Sequence, residues 1–337
     1  MNILIYGIGA IGGIIGGLLA KHHKNLFLFA RGENAEILDN KGLTVYKKIK
    51  KNTEIIPVKV VRDLNEISKI DLIIITVKNY SLEEVAKDIH LKLNNNPIII
   101  AFQNGTENQK ILSKYFSKVI YGVISFSAWR EKPGIFGFQK KQQILIGTLD
   151  NSLMEEMKII KNIIQLSMPI EITQMIQDAI HTKLIINLAN SVLTLTDYKN
   201  LDDTSLSYIR RIITKLMLEG IEIIKVAGFK EHKIHGITSW KDIKKVEKLP
   251  NKIANLFFKK RLKNTGPNSM YQDIILNKRG VSELEHLNGY LLELSNKYNL
   301  NAPYNSAFYK LCKDEFSKST FKPLKAENIW NKLNNFT

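Results

Sequence analysis

The sequence predicts an α/β domain with a doubly wound parallel sheet, followed by an all-helical domain. In the first half, short apolar runs alternate with segments of helical periodicity, a pattern typical of βαβ units. A glycine-rich turn joins the first apolar run to the first helix. From about Met175 onward, strand signals fade and helical periodicity takes over. A chain of 337 residues is long enough for two domains, and we place them at residues 1–174 and 175–337.

The first strand and its turn predict a dinucleotide-binding unit of the Rossmann type. The apolar run Ile3 to Tyr6 is followed by Gly7, Gly9 and Gly12, which have the G-x-G-x-x-G spacing. The first glycine permits a tight turn, the second lets a pyrophosphate approach the backbone, and the third lets the helix pack close to the strand. A purely structural turn is the alternative, but a second strand at Leu26 to Phe29 completes the expected context. Backbone contacts with the cofactor are expected at Gly7, Ile8, Gly9, Ala10, Ile11 and Gly12.

Polar side chains follow three of the predicted strands. Arg31 lies just past the second strand, where an arginine accommodates the 2′-phosphate of NADP and an acidic residue would bind the ribose hydroxyl of NAD. We therefore expect NADPH/NADP+ as cofactor, although Glu33 could approach the same ribose and Arg31 could merely cap a loop. Lys78 and Asn104 follow two later apolar runs. The sequence places all three at the sheet edge where ligands bind.

The other elements follow from apolar runs and periodicity. Residues 43–46 and 54–61 alternate as a hairpin around a lysine-rich turn. Residues 71–77 and 97–102 are continuous apolar runs, as expected for parallel strands buried on both faces. Further strands are expected at residues 119–123, in short pieces between 125 and 147, and at 170–173. Helices are expected at residues 81–91, 153–166, 176–196, 210–227, 269–276 and 282–298.

A polar stripe runs along the predicted helix 176–196. Lys183, Asn187, Asn190 or Ser191, and Thr194 recur at helical spacing between apolar positions. Polar groups on a buried helix need partners, which are either one another, water or a ligand. A structural network is therefore the alternative to a binding site. Glu283 starts a later helix, where an exposed first-turn carboxylate is also an ordinary feature.

Charge, apolar stretches and cysteine content indicate which classes of protein this chain can belong to. The formal net charge is +17, but the lysine runs lack the interleaved aromatic residues that stack bases, so we expect solvated faces and no nucleic-acid partner. The first apolar stretch is rich in glycine and returns at once to a strand pattern, which argues against a signal peptide or membrane span. The single cysteine, Cys312, fits a reducing compartment. We expect a soluble cytoplasmic protein with no metal site.

Several segments together resemble the ketopantoate reductase family, the NADPH-dependent 2-dehydropantoate 2-reductases. They are YGIGAIGG from Tyr6, FAR ending at Arg31, TVK ending at Lys78, QNG from Gln103, PIEIT from Pro169, KLIINLAN from Lys183, NSMYQDI from Asn268 and SELEHLNGY from Ser282. The resemblance covers nearly the whole chain in the family's order. It implies a Rossmann domain and an all-helical domain like that of 6-phosphogluconate dehydrogenase, with the active site in the cleft between them.

The resemblance also implies roles for individual residues. Lys183 would be the catalytic lysine that acts as general acid, and Glu283 the acidic partner that binds the substrate hydroxyl. Burial would lower the pKa of Lys183 and a nearby carboxylate would raise it, and the sequence leaves the balance open. Where the family commonly has a second asparagine after the lysine, this chain has Ser191, with Asn190 just before it. The residues implied to contact substrate are Asn104, Asn187, Asn190, Ser191 and Ser269, and those implied to serve NADPH are Arg31, Lys78 and Asn104.

The implied reaction is the reduction of 2-dehydropantoate to pantoate, a step of pantothenate biosynthesis toward coenzyme A. Hydride would reach the C2 carbonyl of the 2-oxo acid, and an ammonium donor would protonate the oxygen. Two alternatives stay open, a related NADPH-dependent reductase of another 2-oxo acid and a non-catalytic NADP(H)-binding protein. The oligomeric state is also open, with a homodimer as one expectation.

Overall fold

The computed structural model describes residues 1–48, 53–93, 95–140, 143–196, 198, 201–263, 268–278 and 281–334. The chain forms two compact units. Unit 1 consists of Met1–Ala179 with Ile234–Gly236, and unit 2 of Ile180–Lys233 with Ile237–Thr337. The lysine-rich turn expected inside the first hairpin lies largely outside the described residues.

Unit 1 alternates strands and helices along the chain. Its strands are β1 (Ile3–Tyr6), β2 (Leu26–Phe29), β3 (Leu43–Lys47), β4 (Thr53–Ile56), β5 (Lys59–Val61), β6 (Leu72–Ile75), β7 (Ile98–Ala101), β8 (Val119–Ile124), β9 (Ala128–Lys132), β10 (Ile135–Phe138), β11 (Ile144–Gly147) and β12 (Ile170–Ile172). Its helices are α1 (Ala10–Ala20), α2 (Gly32–Lys41), α3 (Leu82–Lys92), α4 (Glu107–Leu112) and α5 (Met154–Ile164), with 3-10 turns at Leu64–Glu66 and Asn79–Ser81.

The main sheet has the doubly wound strand order. Within the described residues it runs β12-β11-β8-β7-β6-β1-β2-β5, with β8 and β11 antiparallel and every other pair parallel. The six strands from β5 to β8 therefore follow the Rossmann order, and the strand order reverses between β1 and β6. Every residue of β1, β6 and β7 is buried, as predicted for parallel strands covered on both faces. Ligands of such sheets bind outside the carboxyl ends of the strands at the reversal.

A second, smaller sheet of order β4-β3-β10-β9 packs on α1. The predicted hairpin is present, with β3 antiparallel to β4. The prediction that its second strand extends over residues 54–61 is wrong, because β4 ends at Ile56. That segment divides at Pro57, and β5 pairs in parallel with β2 in the main sheet instead. Proline lacks the N–H that a continuous strand would need, which is the physical reason for the division.

The glycines of α1 let both sheets approach the helix closely. A Cβ at Gly13 would lie 2.5 Å from the ring of Phe136 in β10, and one at Gly17 would lie 2.6 Å from Leu43 in β3. On the main-sheet side, a Cβ at Gly16 would lie 2.7 Å from Leu28. The first 20 residues are therefore apolar and rich in glycine because α1 packs closely between two sheets.

Unit 2 is helical. Helix α6 (Ile176–Leu195) begins in unit 1, and it is followed by α7 (Asp203–Val226), α8 (Trp240–Lys248), α9 (Asn251–Lys263), α10 (Ser269–Tyr271), α11 (Tyr290–Lys297), α12 (Pro303–Phe316) and α13 (Ala326–Asn334). Two π-helical segments, Gln272–Leu276 and Glu285–Gly289, continue α10 and precede α11. The fold class predicted from the sequence, a Rossmann-type sheet domain followed by a helical domain, is confirmed.

Helices α6 and α7 form the centre of the unit 2 core. Gly220 of α7 permits their close contact, because a Cβ there would lie 2.9 Å from Ile185 and 3.2 Å from Leu188. Helix α7 begins at Asp203 rather than at the predicted Arg210, since the Asp202 side chain accepts a hydrogen bond from the Ser205 amide at 2.6 Å and caps the helix. Among the described residues, we find neither a helix that is apolar over a membrane-spanning length nor a metal-ligand cluster.

Candidate functional site

The glycine loop at the end of β1 is shaped by two close backbone contacts and one open position. Gly7 has φ +104°, and a Cβ there would lie 2.7 Å from Val77. A Cβ on Gly12 would lie 2.1 Å from the Gly7 carbonyl oxygen and 2.4 Å from Thr76 Oγ1. Gly9 differs, since a Cβ there would meet nothing within 4 Å. Gly7 and Gly12 are thus required by the fold, whereas Gly9 leaves space beside the chain.

Helix α1 starts directly after this open position. Gly9 is its N-cap residue and no side chain caps it. The amides of the first helical turn therefore lack side-chain acceptors from the cap, and a helix N-terminus of this kind favours an anion. The loop also contains Ile8, Ala10 and Ile11, of which Ile8 is buried and the other two are partly exposed. Space at Gly9 and a free helix start together fit the pyrophosphate of a dinucleotide.

Arg31 lies at the end of β2 with an exposed guanidinium. It stacks 4.9 Å above the Phe29 ring, and its Nη2 lies 3.5 Å from Asp88 Oδ2 on α3. Tyr6, stacked on Phe29 with centroids 4.3 Å apart, donates a hydrogen bond to the same Asp88 carboxylate. Burial first, and the Asp88 charge second, raise the pKa of Tyr6 above its ordinary value, so its hydroxyl keeps its proton. The guanidinium is oriented by these contacts, and 62% of its side chain stays exposed.

Lys78 and Asn104 lie on loops that are tied together by buried amides. Gln103 Nε2 donates to the carbonyls of Ile75 and Val77, each at 3.0 Å, and Asn79 Nδ2 donates to the Asn104 carbonyl at 2.7 Å. The loops after β6 and β7 are therefore held in one arrangement. The sequence alone assigns no role to Gln103 or Asn79, although amides directly after buried strands are a signal for such hydrogen bonds.

In unit 2, the predicted polar stripe is present on α6. Lys183 is partly buried, and burial lowers the pKa of its ammonium to about 8, with a further contribution from the positive charge of Arg261 on α9. Both of these influences act in the same direction, toward a lower pKa. Arg261 was missed because it lies in a lysine-rich segment whose tertiary position the sequence does not reveal.

Hydrogen bonds join α6 to Asn268, and its neighbour in sequence, Ser269, is bonded to Glu283. Ser269 Oγ donates to Glu283 Oε2 at 2.8 Å, and the Glu283 side chain is buried. Asn268, the cap of α10, contacts α6 through Thr194 Oγ1 and the Asn190 carbonyl, both at 3.4 Å. Three segments that are distant in the sequence thus meet here. The alternative for Glu283, an exposed first-turn carboxylate, is wrong.

The remaining stripe residues differ in their environment. Asn187 is buried, with 6% of its surface exposed, and lies one helical turn beyond Lys183. Ser191 is fully buried, and its hydroxyl donates to the Leu188 carbonyl of its own helix at 2.9 Å. Asn190 is partly exposed, and its carbonyl accepts from Thr194 Oγ1 at 2.7 Å. The Ser191 hydroxyl is therefore used within its own helix, whereas the Asn190 side chain is partly exposed.

His181, which the sequence analysis did not single out, lies beside the stripe. It is buried and stacks on Phe229 with ring centroids 3.6 Å apart, and its Nε2 lies 2.8 Å from the Tyr290 hydroxyl. The adjacent Thr182 accepts a hydrogen bond from the His232 amide at 2.9 Å. These contacts fix the turn of α6 that carries Lys183.

Comparison with known proteins places both halves in one family. The model described as "Ketopantoate reductase PanE/ApbA" matches residues 3–151, and that of the family's C-terminal part matches residues 175–315. A 2-dehydropantoate 2-reductase of Pyrococcus horikoshii is 29% identical over 322 residues, which cover 93% of this chain and 97% of that relative.

Two solved structures share the fold. Dimeric ketopantoate reductase from Staphylococcus aureus has a TM-score of 0.68 at 22% identity, over 94% of this chain and 99% of its own. D-mandelate dehydrogenase with NADH and anilino(oxo)acetate has a TM-score of 0.75 at 19% identity, over 99% of this chain and 100% of its own. On the family match over both halves, the chain belongs to the ketopantoate reductase family of oxidoreductases.

Proposed function

We propose that this protein reduces 2-dehydropantoate to pantoate with NADPH, using Lys183 as the proton donor. The observation that carries the proposal is the placement of Lys183 on a helix face shared with Asn187 and Asn190, and burial lowers the pKa of its ammonium to about 8. A donor whose pKa lies near neutrality is still mostly protonated at pH 7 and gives up its proton more readily than an ordinary lysine. Family membership supports the substrate class.

Unit 1 would hold the cofactor. The open position at Gly9 and the start of α1 suit the pyrophosphate, and the exposed guanidinium of Arg31 suits a 2′-phosphate. This arginine favours NADPH, whereas the structurally similar D-mandelate dehydrogenase was solved with NADH. Lys78 and Asn104, on loops fixed by Asn79 and Gln103, would complete the site. When bound, NADPH supplies the hydride for the C2 carbonyl of the substrate.

Unit 2 would bind the substrate and move the proton. Negative charge develops on the C2 oxygen during reduction, and the Lys183 ammonium would stabilise and protonate that oxygen. The buried carboxylate of Glu283, oriented by Ser269, would accept a hydrogen bond from the substrate hydroxyl. Asn187 and Asn190 would donate to the carboxylate and the carbonyl of the substrate. In this conformation the Ser191 hydroxyl is used within its own helix, so we propose that it shapes the pocket by its size.

The proposal is tested by NADPH consumption with 2-dehydropantoate and a panel of other 2-oxo acids, including phenylglyoxylate. We expect 2-dehydropantoate to have the highest kcat/KM, and Lys183→Ala to lower it by about 10²- to 10⁴-fold. Lys225→Ala is the matched control, because Lys225 is an exposed lysine of unit 2 that pairs with Glu222 at 3.3 Å. A higher kcat/KM for another 2-oxo acid would reassign the substrate, and unchanged turnover in Lys183→Ala would refute the role of the lysine.

A homodimer is the assembly we propose, because the solved relative from Staphylococcus aureus is dimeric. Sedimentation equilibrium over a range of protein concentrations tests this directly. A single species with the mass of one 38.6 kDa chain at all concentrations would contradict it.

A further inference from the structure

Unit 2 contains a cavity of about 290 Å³ that takes no part in the proposed reaction. Helix α7 contributes Arg210, Arg211, Thr214 and Lys215 to its lining, the end of α8 contributes Glu247, and the start of α9 contributes Asn251. The volume is close to the lower limit of ligand pockets, roughly 300 Å³. Three cationic side chains and one carboxylate thus surround a space that suits a small molecule.

Arg210 is the most unusual of these residues, because only 4% of its surface is exposed. Its Nε donates to Asn255 Oδ1 at 2.9 Å and its Nη2 donates to Asn251 Oδ1 at 2.7 Å. Both acceptors are neutral amides, and none of the salt bridges between described residues includes Arg210. Burial, together with the positive charge of Arg211, lowers the pKa of its guanidinium. A buried cation without a counter-charge is costly, and an anion in the cavity would remove that cost.

The neighbouring groups add to the positive potential. The Arg211 guanidinium lies 4.3 Å above the Trp330 ring. This contact supplies no negative charge to balance the guanidinium. Lys215 lies 5.4 Å above the Tyr304 ring and 3.9 Å from Glu247, a loose ion pair. Helix α9 begins at Asn251, so the positive end of its dipole adds to the same wall.

We propose that this cavity is a binding site for a small phosphate-bearing anion. The forked guanidinium donors of two arginines match the oxygens of a phosphate, and a helix N-terminus favours the same group. A volume of about 290 Å³ suits a small anion. Because α7 also packs on α6, an anion that joins α7, α8 and α9 stabilises the helical unit that carries Lys183.

The test is binding of inorganic phosphate to the full chain saturated with NADPH, so that the 2′-phosphate position near Arg31 is already filled. Calorimetry and thermal unfolding are recorded with phosphate and with chloride at equal ionic strength. We expect one phosphate per chain and a rise in melting temperature that chloride does not produce. Equal shifts with phosphate and chloride would overturn the proposal.

Variants locate the site. Arg211→Gln and Lys215→Gln should each weaken phosphate binding about tenfold or more, the effect of losing one charged hydrogen bond. They leave the contacts between Arg210 and its two asparagines intact, so folding is preserved, which circular dichroism checks. Lys297→Gln is the control, since Lys297 is an exposed lysine on α11 outside the cavity. Phosphate affinity that is unchanged in the Arg211 and Lys215 variants would place the binding elsewhere and overturn the proposal.

Discussion

Lys183 is the residue on which the proposed chemistry depends. Sequence periodicity places it on a polar stripe, and the structure adds that burial lowers its pKa to about 8. A proton donor in this range changes its charge state within the working pH of most enzymes. Its titration should therefore be visible both in catalysis and in stability.

The pH dependence of kcat/KM should report this titration. In the proposed reaction the protonated ammonium is the active form, so kcat/KM for 2-oxo acid reduction should fall above about pH 8, roughly tenfold per pH unit. In Lys183→Arg, whose guanidinium keeps its proton throughout, the residual activity should lack this fall. Initial rates between pH 6 and 10 measure both profiles. A wild-type profile that is flat to pH 10 would show that Lys183 is not the proton donor.

Stability should change with pH in the opposite sense to activity. The pKa of Lys183 is about 8 in the folded protein, below its ordinary value of 10.5, so the unfolded chain binds more protons between these values. The cost of burying the ammonium is therefore fully present below about pH 8 and disappears as the pH approaches 10.5. Lys183→Met should raise the melting temperature at pH 7, and the gain should shrink at higher pH. Lys225→Met serves as the exposed control, and a destabilised Lys183→Met at pH 7 would contradict this account.

Arg31 should distinguish the two nicotinamide cofactors. Removing its guanidinium takes away charge-assisted hydrogen bonds to the 2′-phosphate, which NADH lacks. Arg31→Ala should therefore weaken NADPH binding about 10- to 100-fold and leave NADH binding nearly unchanged. Lys59→Ala is a matched control, since its ammonium lies 5.5 Å over the neighbouring Phe27 ring. Fluorescence titration measures the affinity for each cofactor. Equal weakening of NADPH and NADH binding in Arg31→Ala would refute the assignment of Arg31 to the 2′-phosphate.

At the scale of elements, two glycines of the first turn should have different roles, Gly12 in folding and Gly9 in cofactor binding. Gly12→Ala places a Cβ 2.1 Å from a backbone oxygen, so we expect it to lower the free energy of unfolding by about 1–3 kcal/mol. Gly9→Ala meets nothing within 4 Å and should change stability by less than about 0.5 kcal/mol. The new methyl group of Gly9→Ala should nevertheless weaken NADPH binding at least about tenfold, since the pyrophosphate requires that space. Native-like NADPH affinity in Gly9→Ala would argue that the loop is only a structural turn.

Most elements follow from local sequence, and the exceptions have local causes. Buried runs such as LIII in β6 predict their strands because no other structure buries both faces of a short apolar run. The segment after β4 departs from the predicted single strand because Pro57 interrupts it. The early start of α7 follows from its Asp202 cap, which the apolar periodicity alone does not reveal. The π-helical segments have no sequence signal that we can identify.

The site illustrates the same limit. The stripe of Lys183 and Asn187 was predictable because residues four apart share one helix face. The contributions of Asn268 and Arg261 could not be predicted, because α9 and α10 approach α6 only through tertiary packing. The resemblance to the family supplied Ser269 and Glu283, and the hydrogen bond between them gives that pairing a physical basis.

For the whole molecule, the features that suit a cofactor and those that suit a substrate lie in different units. Unit 1 carries the glycine loop, Arg31 and the tied loops after β6 and β7, which suit a dinucleotide. Unit 2 carries Lys183 and the Ser269–Glu283 pair, which suit a hydroxylated 2-oxo acid. The proposed reaction needs both a hydride and a proton at the substrate carbonyl.

Transfer of deuterium tests this claim most directly. Wild-type protein is incubated with 2-dehydropantoate and NADPH that carries deuterium at both C4 positions, and the product is analysed by mass spectrometry. The account predicts pantoate with one deuterium at C2, formed at a rate that Lys183→Ala lowers by about 10²- to 10⁴-fold. Pantoate without deuterium, or the same rate of labelled product in Lys183→Ala, would contradict it.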